Sequence, residues 1–143
     1  MATEFKLIAD SNPTVYKNFT IASQAYAIGD AVMESTTAGT VIPATSSTTP
    51  SRLIGVAMEA QPATATTLLV CLVSPSQVWS ADATNTANAA HNLQRMVLTN
   101  ATTVNNTGTD STNAAAVFRQ EGIVSTTRIV GRFLAQADRK SVV

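Results

Sequence analysis

Short apolar runs separated by turn-forming residues fill residues 25–73 and restrict this chain to β structure. The stretch is AYAIGDAVMESTTAGTVIPATSSTTPSRLIGVAMEAQPATATTLLVCLV. Each apolar run is short and ends at Thr, Ser, Gly or Pro, which is typical of strands joined by tight turns. The sequence therefore predicts a series of short strands here.

A hairpin is predicted at the start of this stretch. Residues 27–33 form its first strand, in which Gly29 indicates a bend or a close backbone approach. Gly39 lies in the turn, where it is free to take a positive φ. Residues 40–42 return as the partner strand, and Pro43 ends it.

Two more strands complete the stretch. Alternation in residues 53–58 gives one large apolar face and one small face that contains Gly55 and Ala57. The small face would let a second sheet or another subunit come close. Residues 68–73 are apolar on both faces, which predicts a central strand covered on both sides.

The rest of the chain also predicts short strands, at residues 77–79, 95–98, 115–118, 122–124 and 126–134. In the last of them, Ile129, Gly131 and Phe133 share one face. Residues 81–92 are Ala-rich and form either a short helix, capped by Asp82 or Thr84, or an ordered loop. This pattern predicts an all-β fold, a small sandwich or barrel with at most one short helix.

The 143 residues suit one domain. We expect residues 1–24 to be an N-terminal arm or edge strand, residues 25–135 to form the β domain, and residues 136–143 to be a frayed tail. The first residues lack the basic start and apolar core of a signal peptide, so we expect synthesis and assembly in a cytoplasm.

Aromatic and apolar residues near the start have two interpretations. Phe5, Leu7, Tyr16 and Phe19 either belong to an edge strand over the core or form an arm that orders on contact with a partner. Trp79, the one tryptophan, is either a core side chain or an interface anchor.

Charge and composition exclude several classes of function. Charged residues make up 13% of the chain, about half the usual fraction, so Thr, Ser, Asn and Ala must cover much of the surface. Such a surface packs readily against other protein and favours an assembly component. The formal net charge is zero, and no basic patch precedes the last fifth of the chain, which argues against nucleic-acid binding. No apolar run approaches the ~18 residues of a membrane helix.

The sequence also predicts no enzyme activity, cofactor or metal site. Cys71 is the single cysteine and lies in an apolar run, where a thiolate would be costly. His91 is the single histidine and has no acidic cluster beside it. A hydrolase would need a pair drawn from scattered carboxylates such as Glu34, Glu59 and Glu121.

The order of motifs in residues 29–79 resembles that of the head decoration, or cement, proteins of tailed bacteriophages. The motifs are GDAVM (29–33), GTVIPAT (39–45), LIGVAMEA (53–60), ATTLLVCLV (65–73) and VW (78–79). The closing IVGRFL (129–134) is similar to the C-terminal β segment of longer capsid-decoration proteins. Order and spacing carry the resemblance, because the residue types are common.

The resemblance implies a β-clip or β-tulip domain that forms a homotrimer on the outer surface of the virion. Each trimer would bind the major capsid protein and stabilise the shell by bridging its subunits, with no cofactor, nucleic acid or membrane involved. The N-terminal segment would lie against the shell. The expected capsid or subunit contacts are Phe5, Leu7, Tyr16, Phe19 and Trp79.

The alternative is a carbohydrate-binding or receptor-binding β module of a virion fibre or tail. Sugar binding needs an exposed aromatic ring beside polar groups. Trp79 and Tyr26 are the residues that the sequence offers for such a platform.

Overall fold

The computed structural model describes residues 5–11, 14–37, 39–106 and 115–134. Within these residues the chain forms twelve strands and one 3-10 helix, Ala89–His91. The strands are β1 (Lys6–Asp10), β2 (Tyr16–Ile21), β3 (Ala31–Glu34), β4 (Thr40–Pro43), β5 (Leu53–Ala57), β6 (Thr67–Leu72), β7 (Gln77–Ala83), β8 (Arg95–Met96), β9 (Leu98–Asn100), β10 (Thr103–Val104), β11 (Phe118–Ile123) and β12 (Arg128–Phe133).

Five strands close into a barrel in the order β2-β4-β3-β5-β6, with β6 pairing back to β2. Strand β2 runs parallel to β4, and every other pair in the barrel is antiparallel. Each strand of the barrel thus has a neighbour on both sides, although β2 and β4 share only two residue pairs. All five residues of β5 are buried. Other buried side chains of the barrel strands include Val32, Val41, Leu68 and Val70.

The remaining seven strands form a second sheet in the order β8-β11-β12-β7-β10-β9, with β1 also paired to β7. Strand β7 is central to this sheet. One of its edges pairs with β12, and the other pairs first with β1 and then with β10. Four aromatic rings pack beneath the sheet, with centroids 5.0 to 6.0 Å apart. They are Phe5, Trp79, Phe118 and Phe133.

The barrel and the second sheet share one buried core. Backbone bonds also join them: the Phe5 N–H donates to the Gly29 carbonyl (3.1 Å), and the Ala31 N–H donates to the Ala101 carbonyl (2.7 Å). Strands β1 and β2, both within residues 1–24, pair with strands from residues 25–135. The division at residue 24 stays a prediction, and the predicted tail, residues 136–143, lies outside the described residues.

The predicted all-β small barrel is confirmed. Gly39 takes a positive φ of 77° in the turn that the sequence predicted, and Gly29, where the sequence indicated a bend or a close approach, has a φ of 90°. The bend at Gly29 delays the first hairpin strand, which begins at Ala31 rather than at residue 27. In β12 the alternation is also confirmed: Ile129, Gly131 and Phe133 are buried, while Arg128, Val130 and Arg132 are partly exposed.

The helix considered for residues 81–92 is wrong apart from one turn. Residues up to Ala83 belong to β7, because Asp82 and Ala83 pair with β10 and Asp82 also pairs with β12. These long-range pairings override the helix propensity of alanine. The 3-10 helix is capped by Asn88, whose side chain accepts from the Ala90 N–H. The two strands predicted at residues 115–118 and 122–124 are one strand, β11, with a bulge at Glu121.

The small face predicted around Gly55 accommodates a neighbouring strand of the same barrel. A Cβ at Gly55 would lie 2.0 Å from the Cys71 carbonyl oxygen and 2.6 Å from Val70 Cγ1. No side chain fits between two backbones at that separation. The close approach therefore fixes the contact between β5 and β6.

We expect Gly55→Ala to lower the free energy of unfolding by about 2–3 kcal/mol, because the added methyl group overpacks the β5–β6 contact. Gly122→Ala is the control, since its Cβ would meet only Val130 Cγ1, at 3.1 Å, which belongs to a partly exposed side chain rather than to a backbone. Urea unfolding of the two variants measures the difference. Equal midpoints would show that the barrel relaxes around the extra methyl group.

Candidate interaction surface

The five residues expected to contact a shell or a second subunit occupy different environments. Phe5 and Trp79 are 1% and 0% exposed, so both side chains belong to the core. This confirms the core interpretation of these two residues and removes them from any surface of the folded chain. Leu7 and Phe19 are partly buried against the same core. Tyr16 is 52% exposed and is the one of the five that presents most of its side chain.

A buried amide explains the position of Trp79. Gln77 is 1% exposed, and its Oε1 accepts from the Trp79 Nε1–H (3.1 Å) and the Ser74 N–H (2.9 Å). Its Nε2 donates to the Leu72 carbonyl (2.9 Å) and lies 3.7 Å from Cys71 Sγ. The indole therefore has its polar partner inside the core, as buried tryptophans require.

Replacing Gln77 with methionine should lower the free energy of unfolding by about 2 kcal/mol or more, because the buried indole N–H loses its acceptor. The matched control is Gln94→Met, since Gln94 is exposed. Thermal unfolding of both variants tests the expectation. A Gln77→Met protein as stable as the control would contradict the role given to this amide.

A bulge in β1 exposes Ile8. Leu7 pairs with Trp79 and faces the core, and the register shifts before Ala9 pairs with Val78. Ile8 is the extra residue on the bulged strand, and its side chain is 54% exposed. A bulged residue is left unpaired and turned away from the regular face of the sheet. Nothing in the local sequence marks this position, which is why the sequence did not single out Ile8.

Strand β2 places Tyr16 on the outside of the barrel. Ile21 is buried and Phe19 is partly buried, while Tyr16, Asn18 and Thr20 alternate with them on the exposed face. Val15, just before the strand, is 47% exposed although its carbonyl accepts from the Leu72 N–H. Alternation alone predicts this outward set once the buried face of β2 is known.

The described ends of the connection between β1 and β2 are fixed to the second sheet. The Asp10 carboxylate accepts from the Thr14 hydroxyl (3.0 Å) and the Ser76 hydroxyl (2.7 Å). The Ser11 N–H donates to the Ser76 carbonyl (3.4 Å). We call Ile8, Val15 and Tyr16 the N-terminal apolar set. They are three of the seven large apolar residues that are exposed in the described part of the chain.

Neither ring proposed for a sugar platform is exposed. Tyr26 is 3% exposed and Trp79 is fully buried. The Tyr26 hydroxyl donates to the Val41 carbonyl (3.1 Å), and burial is the main reason that the pKa of this phenol is raised. The rings cannot stack on a sugar in this fold, so the sequence argument for a carbohydrate module loses its platform.

The residues considered for catalysis or metal binding lie in hydrogen bonds, ion pairs or secondary structure of the fold. Glu59 accepts from the Leu69 N–H (2.9 Å) and from Gln61 Nε2 (3.1 Å). Glu121 is paired with two arginines. His91 lies in the 3-10 helix. Within the described ranges, no group of three or more His, Cys, Asp or Glu residues could hold a metal, and no helix is long and apolar enough to cross a membrane.

The Cys71 thiol is buried between strands, and this burial raises its pKa to about 11. In the unfolded chain the thiol has its ordinary pKa of 9.0 and loses its proton near that pH, whereas in the folded chain it keeps the proton up to about pH 11. Below pH 9 the thiol is protonated in both states, so its ionisation does not change the free energy of unfolding. Between about pH 9 and pH 11 the unfolded state binds fewer protons, so stability falls as pH rises.

We expect the free energy of unfolding to fall between pH 9 and pH 11 more steeply in the wild type than in Cys71→Ala. Chemical unfolding at a series of pH values measures both curves. All other residues are the same in the two proteins, so the difference between the curves isolates the thiol. Parallel curves would contradict the raised pKa.

An open hollow of about 560 Å³ lies beside the β3–β4 hairpin of the barrel. Met33 and Ile42 are among its apolar lining residues, and threonine and serine residues make up most of the rest. The Arg52 guanidinium at its side already donates to the Glu34 carbonyl (2.8 Å). One nitrogen of this guanidinium is thus already engaged within the fold, and the lining of the hollow includes no aromatic side chain.

Neither a scan against protein-family models nor a search of the curated proteins found a match for this chain. Membership of the decoration-protein family stays a hypothesis that depends on the order of motifs in residues 29–79. The surface available to a partner is defined by the described fold. It includes the N-terminal apolar set on the strands that begin the barrel and border the second sheet.

Proposed function

We propose that this chain is a structural decoration protein of a tailed-bacteriophage head. It binds the outer face of the shell as a homotrimer and bridges subunits of the major capsid protein. Support comes from the motif order that resembles cement proteins and from the small all-β barrel that these motifs form. The observation that carries the proposal is the N-terminal apolar set, exposed on strands that are themselves anchored in the core.

Anchoring matters for binding because ordering a flexible segment opposes association. Phe5 packs against Phe118 and Phe133, and Asp10 bonds to Ser76, so β1 is already held before any partner arrives. A prearranged surface loses less conformational entropy on binding. Exposed Ile8, Val15 and Tyr16 would then supply apolar contact area to a shell protein.

The mechanism is physical. A stable protein interface buries about 1,600 Å² in total, and the three exposed side chains would form part of one such contact. A trimer presents each contact three times. Simultaneous binding to neighbouring capsid subunits multiplies a modest single affinity, which allows many weak contacts to reinforce a shell.

The test compares the wild type with Ile8→Thr/Val15→Thr/Tyr16→Thr in cosedimentation with expanded heads that lack the protein. We expect the triple variant to bind at least about tenfold more weakly, because it loses exposed apolar contact area. Its unfolding midpoint should stay near the wild-type value, since these side chains are exposed. Light scattering should give three times the 14.9 kDa of one chain for both proteins.

The matched control is Ile123→Thr/Val124→Thr, which removes apolar side chains that are 41% and 57% exposed at the end of β11. It should bind heads like the wild type. Truncation is a poorer test, because deleting residues 1–20 would remove Phe5 from the core and a strand from the barrel. A wild-type protein that does not sediment with heads would overturn the proposal.

A further inference from the structure

Three arginines lie side by side on the outer face of the second sheet. Arg95 of β8 pairs with Arg119 of β11, and Arg119 pairs with Arg132 of β12. Cross-strand partners project from the same face of a sheet. The adjacent pairs, such as Phe118 with Met96, point the other way into the core. We call Arg95, Arg119 and Arg132 the arginine row.

One carboxylate holds part of this row together. Glu121 lies at the bulge of β11, and its carboxylate accepts hydrogen bonds from Arg119 Nη2 (3.1 Å) and Arg132 Nε (3.0 Å). Partial burial acts to raise the pKa of this carboxyl, but hydrogen bonds and charges from the two arginines outweigh it and lower the pKa. The Arg95 guanidinium is exposed and makes no hydrogen bond or ion pair with the described part of the chain. Like charges directly opposite one another in a sheet are destabilising, so fold stability does not account for this arrangement.

The same face carries further positive charge. Arg128 pairs with Asp82 (2.8 Å), and Lys6 lies opposite Ser80 on the neighbouring strand. Among the described residues, the basic side chains of this face are Lys6, Arg95, Arg119, Arg128 and Arg132, and the acidic ones are Asp82 and Glu121. Three positive charges are therefore in excess on one sheet face of a chain whose formal net charge is zero. Sequence spacing does not reveal this face, because Arg95 joins it only through strand pairing.

We propose that the arginine row docks onto an acidic protein surface, with carboxylates of the partner accepting hydrogen bonds from Arg95 and Arg119. The inference deepens the proposed function, on which it rests for the identity of that partner as the shell. Glu121 already shows, within the chain, how one carboxylate bridges two arginines of this row. The planar guanidinium matches a carboxylate with two parallel hydrogen bonds.

The dimensions of the row favour a protein partner over a nucleic acid. Three neighbouring strands span about 10 Å, which accommodates one or two carboxylates. Nucleic-acid strands are held by longer basic grooves with aromatic rings on which bases stack. The four rings of the second sheet are buried on the opposite face, so the row has no stacking partner among them.

The first experiment measures binding of fluorescently labelled poly-glutamate to the purified full chain by polarisation at low ionic strength. We expect Arg95→Gln/Arg119→Gln to weaken binding at least about tenfold and to reduce its salt dependence. Lys17→Gln, which removes one positive charge from the barrel, should leave affinity within about twofold, because Lys17 lies outside this face. The single variant Arg95→Gln should unfold at an unchanged or higher temperature, since it relieves repulsion with Arg119.

Each outcome supports or overturns the proposal that the arginine row is a docking face for an acidic protein surface. Equal binding of poly-glutamate by wild type and double variant would overturn it, as would no binding by the wild type. Tighter binding of an oligo-dT of matched charge, lost in the double variant, would identify a nucleic-acid surface instead. Cosedimentation with heads then separates the two proposals. Heads that bind the double variant as tightly as the wild type overturn the docking face alone, whereas heads that bind neither overturn the proposed function.

Discussion

Packing of Phe5 against the aromatic cluster is the contact on which the arrangement of the two sheets depends. The ring lies 5.0 Å from Phe133 and 6.0 Å from Phe118, while its backbone N–H bonds to Gly29 at the edge of the barrel. One residue thus joins the aromatic cluster beneath the second sheet to the turn that leads into β3. Strand β1 is also held by the Asp10–Ser76 bond and by its pairing with β7, and β2 by its pairing with β4 and β6.

Local patterns in the sequence predicted those features of the fold that depend on residues close together in the chain. Alternation identified the buried face of residues 129–133, and the turn glycines were found at Gly29 and Gly39. Register between distant strands has no local signature. The bulge at Ile8 and the strand that replaces a helix at residues 81–83 both arise from pairing with residues far along the chain.

The same limit applies to the two proposed contact surfaces. Tyr16 was expected at an interface and is exposed. Trp79 was considered for an interface as well, but it is buried, and its indole N–H donates to Gln77 inside the core. Arg95 and Arg119 of the arginine row lie side by side because β8 and β11 pair in antiparallel orientation. Strand β1 takes part in both surfaces, because Lys6 lies on the basic face and Ile8 is exposed at the bulge. A partner that covers this strand could engage apolar and charged groups at once.

Strand order also sets when the chain can acquire this structure during synthesis. Strand β2 closes the barrel by pairing with β6, and β1 pairs with residues 77–80. Strand β2 can pair with β4 early, but its pairing with β6 and the pairing of β1 with β7 need about half of the chain to have left the ribosome, and the second sheet is completed only with β12. Such non-local pairing slows folding and leaves apolar strands unpaired in the nascent chain. In β2 the exposed Asn18 and Thr20 keep one side of the strand polar before it pairs with β6.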